Sequence, residues 1–193
     1  MMDIIQYKII HFIDLNYYDE LFSMSLTFGY YFDQPVDNLP SSLQNLTFGY
    51  NFDQPVYNLP PTLQNLTFGF HFNQLVDNLP QNLQNLTFGY KFNHPIDNLP
   101  QSLQNITFGC IFNQSLDNLP NNIIKIKFSS FDYSNFNKSL NCLSDSVEEI
   151  ILTKNYNKLI DKLPKKIKHI SYSSKYEYGY LFKKKHNINI FLL

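Results

Sequence analysis

A 20-residue unit runs five times from residue 26 to residue 125 with no insertion or deletion. Leu26-Thr27-Phe28-Gly29 recurs as Leu46-Thr47-Phe48-Gly49, Leu66-Thr67-Phe68-Gly69, Leu86-Thr87-Phe88-Gly89 and Ile106-Thr107-Phe108-Gly109. A strict short period restricts a chain more than its composition does, because whatever one copy folds into must stack on the next. Proline at two slots of a unit such as 46–65 argues against a helical hairpin. Alternation across Leu46-Thr47-Phe48 suits a short strand with one buried face.

The apolar slots of one copy are Leu43, Leu46, Phe48, Phe52, Val56 and Leu59. Gly49 ends the strand where the chain must bend without a side chain. Leu59-Pro60 makes a rigid corner, since proline fixes its own φ and restricts the residue before it. Asp53, Gln54, Pro55 and Asn58 are turn formers. One unit cannot bury these slots alone, but stacked units place Leu on Leu and Phe on Phe. Strands of successive turns then pair in parallel about 4.8 Å apart, and eight turns make a rod of roughly 40 Å. Two core phenylalanine columns are expected, Phe28 to Phe128 and Phe32 to Phe136.

Beyond residue 125 the unit drifts. Ile126, Phe128, Phe136, Leu140, Leu143, Val147 and Ile150 fit the template if about four residues enter between 129 and 135. Ile150, Leu152, Tyr156, Ile160, Leu163, Ile167 and Ile170 form the next copy, and an eighth begins at Ile170. The fold expected is mainly β: a single-domain solenoid of about eight turns with a parallel sheet and an N-terminal helical cap. Its parts are a cap over 1–25, the repeats over 26–170 and a Lys-rich C-terminal cap over 171–193. Ile5, Ile9, Phe12 and Ile13 share one helical face in the first of these.

Phe72-Asn73-Gln74, Phe92-Asn93-His94-Pro95-Ile96 and Phe112-Asn113-Gln114, each following Leu/Ile-Thr-Phe-Gly, resemble FNIP repeats. Such repeats occur in social amoebae and in giant DNA viruses of amoebae. The resemblance spans about residues 26–170 and implies a relative of leucine-rich repeats, a curved solenoid with its strands on the concave face. It implies a protein-binding role, and in some members an N-terminal F-box that docks a ubiquitin-ligase adaptor. Residues 1–25 are short for a full F-box and would be a remnant of one. The first two copies carry Asp33 and Asp53 where the motif has Asn, and Leu75 and Ser115 replace its Pro. Tyr31, Asn51, His71, Lys91 and Ile111 fall where a leucine-rich repeat carries its inward Asn. That set is too mixed for a buried ladder, so a β-helix of another kind stays open.

Charge divides the chain. Residues 1–120 hold 2 Lys against 10 acids, and residues 121–193 hold 13 Lys against 6, with a net −1 overall. Arg, Trp and Ala are absent. This balance does not suit a protein that coats nucleic acid, and no apolar run is long enough to span a membrane. Cys110 and Cys142 make neither a disulfide framework nor a zinc spacing. A reducing compartment, the cytoplasm or a host cell's cytoplasm if the chain is viral, follows as the expectation.

Nothing assembles a base, an orienter and an oxyanion site, so an enzyme is not expected, nor a cofactor. Stacked Asp77, Asp97 and Asp117 repel by roughly 1 kcal/mol per neighbour even in water, without the glycine-rich pattern of a calcium β-roll. Asn45, Asn65, Asn85 and Asn105 are placed to form an amide ladder. The slots that vary freely among the regular copies are Tyr31, Asn51, His71, Lys91 and Ile111, and the pairs such as Ser41-Ser42 and Pro61-Thr62. The five single slots are the candidate contacts for a protein partner.

Overall fold

The computed structural model describes residues 25–129, 131–183 and 188–193, with backbone alone at Lys183. Nine short strands follow one another: β1 Ser25–Thr27, β2 Asn45–Thr47, β3 Asn65–Thr67, β4 Asn85–Thr87, β5 Asn105–Phe108, β6 Lys125–Phe128, β7 Glu149–Ile151, β8 His169–Tyr172 and β9 Asn189–Leu192. A single helical turn, α1 Tyr180–Lys183, precedes the last strand. All neighbours pair in parallel, in sequence order, in one sheet. The chain is therefore a β-solenoid of about eight turns, each 20-residue period placing Leu46 beside Leu66 and Leu66 beside Leu86. The N-terminal helical cap expected over 1–25, and the F-box remnant with it, lie outside the described residues except for Ser25, which begins β1.

Every apolar slot named for one copy is buried: Leu43, Leu46, Phe48, Phe52, Val56 and Leu59. The two phenylalanine columns zip together. Phe48, Phe68 and Phe88 follow one another at 5.6 and 5.8 Å between ring centres. Phe52, Phe72, Phe92, Phe112 and Phe136 step at 6.1 to 6.2 Å. Within a turn the two columns touch, with Phe68 and Phe72 3.6 Å apart. Truncating one such ring costs about 3–5 kcal/mol, because neither neighbouring turn can collapse into the space.

The glycine after each strand serves a close approach between turns. A methyl group on Gly69 would lie 1.9 Å from the Gly49 carbonyl oxygen, and one on Gly89 would lie 1.8 Å from that of Gly69. The column ends where Ser129 takes the slot. There the period breaks: Lys125 pairs with Glu149, a step of 24 residues, before Glu149 pairs with His169. The insertion leaves Phe136 in the column of Phe112. Thr153 and Ser173, both buried, hold the glycine slot in the last turns.

Two backbone turns close each copy. Phe52 N donates to the Gly49 carbonyl at 3.4 Å, and Leu63 N to the Pro60 carbonyl at 3.1 Å. The sheet does not stop at residue 170, since Asn189 to Leu192 add a strand to β8.

Two substitutions test this packing. Gly69→Ala should lower stability by about 3 kcal/mol, because the obstacle is backbone and cannot swing away. Gly29→Ala, with nothing within 4 Å among the described residues, should cost less than about 0.5 kcal/mol. Tyr156 sits in the phenylalanine column with a buried hydroxyl that has no hydrogen-bond partner among the described residues. Tyr156→Phe should raise stability by about 1 kcal/mol. Urea titrations of the three variants check both expectations, and a destabilised Y156F would contradict the second.

Candidate interaction surface

The corner turn after each strand decides which side chains meet solvent. In Gly49-Tyr50-Asn51-Phe52 the outer residues fold into the stack and the two central ones point away. Each second central residue donates its backbone N–H to the preceding turn. Asn51 bonds the Tyr30 carbonyl, His71 that of Tyr50 and Lys91 that of Phe70, all at 3.0 Å, and Ile111 that of Tyr90 at 3.1 Å. Tyr31, Asn51, His71, Lys91 and Ile111 thus form one file along a flank of the solenoid. Tyr31 is 83% exposed, Lys91 is exposed, and the other three are half-buried. Because the backbone makes the bond, the side chain is free to vary.

The first central residues form a second file that the sequence reading passed over. Tyr30, Tyr50, Phe70 and Tyr90 stack nearly parallel at 4.6, 4.6 and 4.5 Å. Tyr31 meets Tyr30 edge-on at 4.8 Å, and His71 meets Tyr50 edge-on at 5.1 Å. The file ends at buried Cys110, whose sulfur lies 2.9 Å from the Ser129 hydroxyl. Beyond it, the segment inserted in the sixth turn brings Tyr133 to 6.0 Å from Tyr90, with Phe131 stacked on Tyr133 at 5.7 Å. Both are exposed, at 59% and 60%. Burial in the stack, then the Tyr50 and Tyr31 phenols, push the Tyr30 hydroxyl above the usual tyrosine range. It stays protonated, and able to donate, at any physiological pH. The signal was in the sequence: an aromatic residue follows Gly29, Gly49, Gly69 and Gly89.

Other surface files are occupied by their own hydrogen bonds. Asn65 Nδ2 donates to Asn45 Oδ1, Asn85 to Asn65 and Asn105 to Asn85, at 2.6, 2.5 and 2.6 Å. Asp77 and Asp97 accept from Asn98 and Asn118 of the next turn, which eases the repulsion along the acidic file. In the basic half, Lys125, Lys154, Lys165 and Lys168 pair with Glu149, Asp132, Asp145 and Glu148, so part of that charge is met between turns. Hydrogen bonds from Lys165 and Lys168 hold the Asp145 and Glu148 carboxyls below the usual carboxylate range. Among the described residues no three His, Cys, Asp or Glu side chains converge as metal ligands, and no helix is long and apolar enough to cross a membrane.

One more file explains the repeat motif. The residue after each second-column phenylalanine accepts a hydrogen bond from the backbone N–H of its counterpart one turn on. Asp53 N donates to Asp33 Oδ1 at 2.9 Å, Asn73 N to Asp53 at 2.8 Å, Asn93 N to Asn73 at 3.0 Å, and Asn113 N to Asn93 at 2.9 Å. The next residue reaches back to the same group, as Gln74 and Gln114 do. Only an acceptor oxygen is needed, so Asp33 and Asp53 serve as well as Asn. The following slot is exposed, which lets Leu75 and Ser115 replace proline. Residues 35–71 and 72–110 match the FNIP Repeat family model. These residues carry FNIP repeats. Its solenoid is similar to the crystal structure of CroV588, a giant-virus protein described as a novel circular LRR protein, with TM-score 0.72 and 36% identity over 79% of this chain. The chain spans 24% of that protein's length. No curated protein matches the sequence. The ladder of the FNIP motif thus lies at Asp33 to Asn113, two residues beyond the file where a leucine-rich repeat's Asn was sought.

The acceptor rule has a direct check. Asn93→Asp keeps the oxygen and should change stability by less than about 0.5 kcal/mol. Asn93→Ala orphans the Asn113 amide and should cost about 1–3 kcal/mol. Thermal melts of the two variants at neutral pH should separate clearly.

Proposed function

We propose that this protein is a non-catalytic binding scaffold that engages a protein partner through the flank carrying Tyr31, Asn51, His71, Lys91 and Ile111 beside the Tyr30–Tyr90 aromatic file. The observation that carries this reading is the contrast between files. Core and hydrogen-bonding slots are nearly identical from turn to turn, whereas this flank combines varied side chains with a half-exposed aromatic stack. Tyrosine-rich, lightly charged surfaces are what the centre of a protein interface is made from. A stacked repeat supports such a surface rigidly over many turns.

Catalysis has no part in the reading. His71 packs on Tyr50 and Phe70, and His94 Nε2 lies 2.8 Å from the Asn73 carbonyl oxygen. Cys110 is buried. Desolvation, then the Asp117 carboxylate, pushes the Cys142 thiol up to about 11, so it is not a ready nucleophile at neutral pH. Cys110 and Cys142 are both free thiols, which fits a reducing compartment such as the cytoplasm.

The double substitution Asn51→Ala with Lys91→Ala tests the choice of flank. The thermal midpoint should stay where it is, since both residues are held by backbone bonds, while recovery of partners cross-linked in cells should drop sharply. Unchanged recovery would place binding elsewhere, and a large fall in midpoint would show the file to be structural.

A further inference from the structure

We infer that the aromatic file on this flank is a docking track for a proline-rich peptide in the polyproline II conformation, carrying an acidic residue beside Lys91. The inference deepens the reading of the flank as an interaction face and rests on it. The rings of Tyr30, Tyr50, Phe70 and Tyr90 cover one another's faces at 4.5 to 4.6 Å. Between Tyr30 and Tyr90 the file therefore offers no open face on which a nucleobase could stack. It offers ring edges with phenol hydroxyls, divided by the shallow apolar edge of Phe70. Steps of 4.6 and 4.5 Å bring Tyr50 and Tyr90 about 9 Å apart. A polyproline II helix has three residues per turn and a rise of about 3.1 Å, so its groups repeat every ~9 Å. One side of such a peptide can present a carbonyl to the Tyr50 hydroxyl, a ring to Phe70 and the next equivalent carbonyl to Tyr90. A β-strand peptide, with a same-side repeat of about 6.7 Å, would miss alternate rungs.

Hydrogen bonding and charge fit the same occupant. The polyproline backbone makes no internal hydrogen bonds, so its carbonyls are free to accept, and aromatic-lined surfaces are the recurring receptors for it. The rings of Tyr133 and Phe131 extend the apolar track past Cys110. On the flank Lys91 is exposed with no ion pair among the described residues, while Lys154 is neutralised by Asp132 at 3.0 Å. One uncompensated cation suits a peptide with an acidic residue and is too little for nucleic acid, which is held by many phosphate contacts.

The test is calorimetric titration of the full chain with a blocked synthetic polyproline peptide ending in glutamate, beside a Gly/Ser peptide of equal length and an oligouridylate. Expected are saturable binding of the polyproline peptide alone, and a loss of about tenfold in affinity for Tyr50→Ala and again for Tyr90→Ala, as for a buried aromatic contact. Tyr50→Phe should keep the stack and lose only the hydroxyl's share, which guards against a variant that merely misfolds. No binding of the polyproline peptide, equal binding of the Gly/Ser peptide, preference for the oligouridylate, or insensitivity to Tyr50→Ala and Tyr90→Ala would each overturn the inference. The wider reading of the flank is judged separately, by cross-linking of the Asn51→Ala, Lys91→Ala protein. The peptide can therefore fail while that reading stands.

Discussion

In-register stacking of turns at the parallel-strand spacing is the constraint from which the other features of this solenoid follow. Each turn must present the same shape to the turn above and below. At one point the shape leaves no room even for a β-carbon, because Gly69 lies against the Gly49 carbonyl and Gly89 against that of Gly69. With that contact in place, the phenylalanine columns fall into register and the strands can bond in order from β1 to β9. The glycines end at Ser129, where the step lengthens once to 24 residues and the inserted residues include the exposed Phe131 and Tyr133; the later turns return to a 20-residue step with Thr153 and Ser173 in the same slot.

Polar groups in such a stack face a second requirement. Backbone N–H groups outside the short strands still need acceptors, and the turns supply them in files. The Asp33–Asn113 file takes amides from the next turn, and Asn45 to Asn105 bond among themselves along the sheet. This explains why the repeat motif is strict at phenylalanine and loose beside it. A core ring has one shape that fits, whereas the ladder asks only for an oxygen. Binding therefore cannot easily use these files, since their donors and acceptors are already engaged. The flank at the corner turn is different: its backbone is satisfied between turns by the N–H groups of Asn51, His71, Lys91 and Ile111.

The charge division of the chain has a similar resolution. In the basic half Lys125, Lys165 and Lys168 each meet an acid one turn away. These pairs are largely solvent-exposed and contribute little stability.

The sequence by itself determined the architecture. A 20-residue period with Leu43, Leu46, Phe48, Phe52, Val56 and Leu59 in fixed slots buries them by stacking copy on copy, and the copies in residues 126–170 were legible from the same slots. Repetition makes this possible, because a residue's neighbour in space is its counterpart one period away. The tertiary structure decided what the period alone leaves open. It set the reason for the glycines, which is a distance between turns and not a bend within one. It placed the acceptor ladder at Asp33 to Asn113, two residues beyond the file at Tyr31 to Ile111. It also turned Tyr30, Tyr50, Phe70 and Tyr90 into a half-exposed stack continued by Tyr133. Alternation and period tell which residues share a file. Whether that file points inward or outward depends on where the backbone turns, and those turns are set by contacts between copies that no single copy contains.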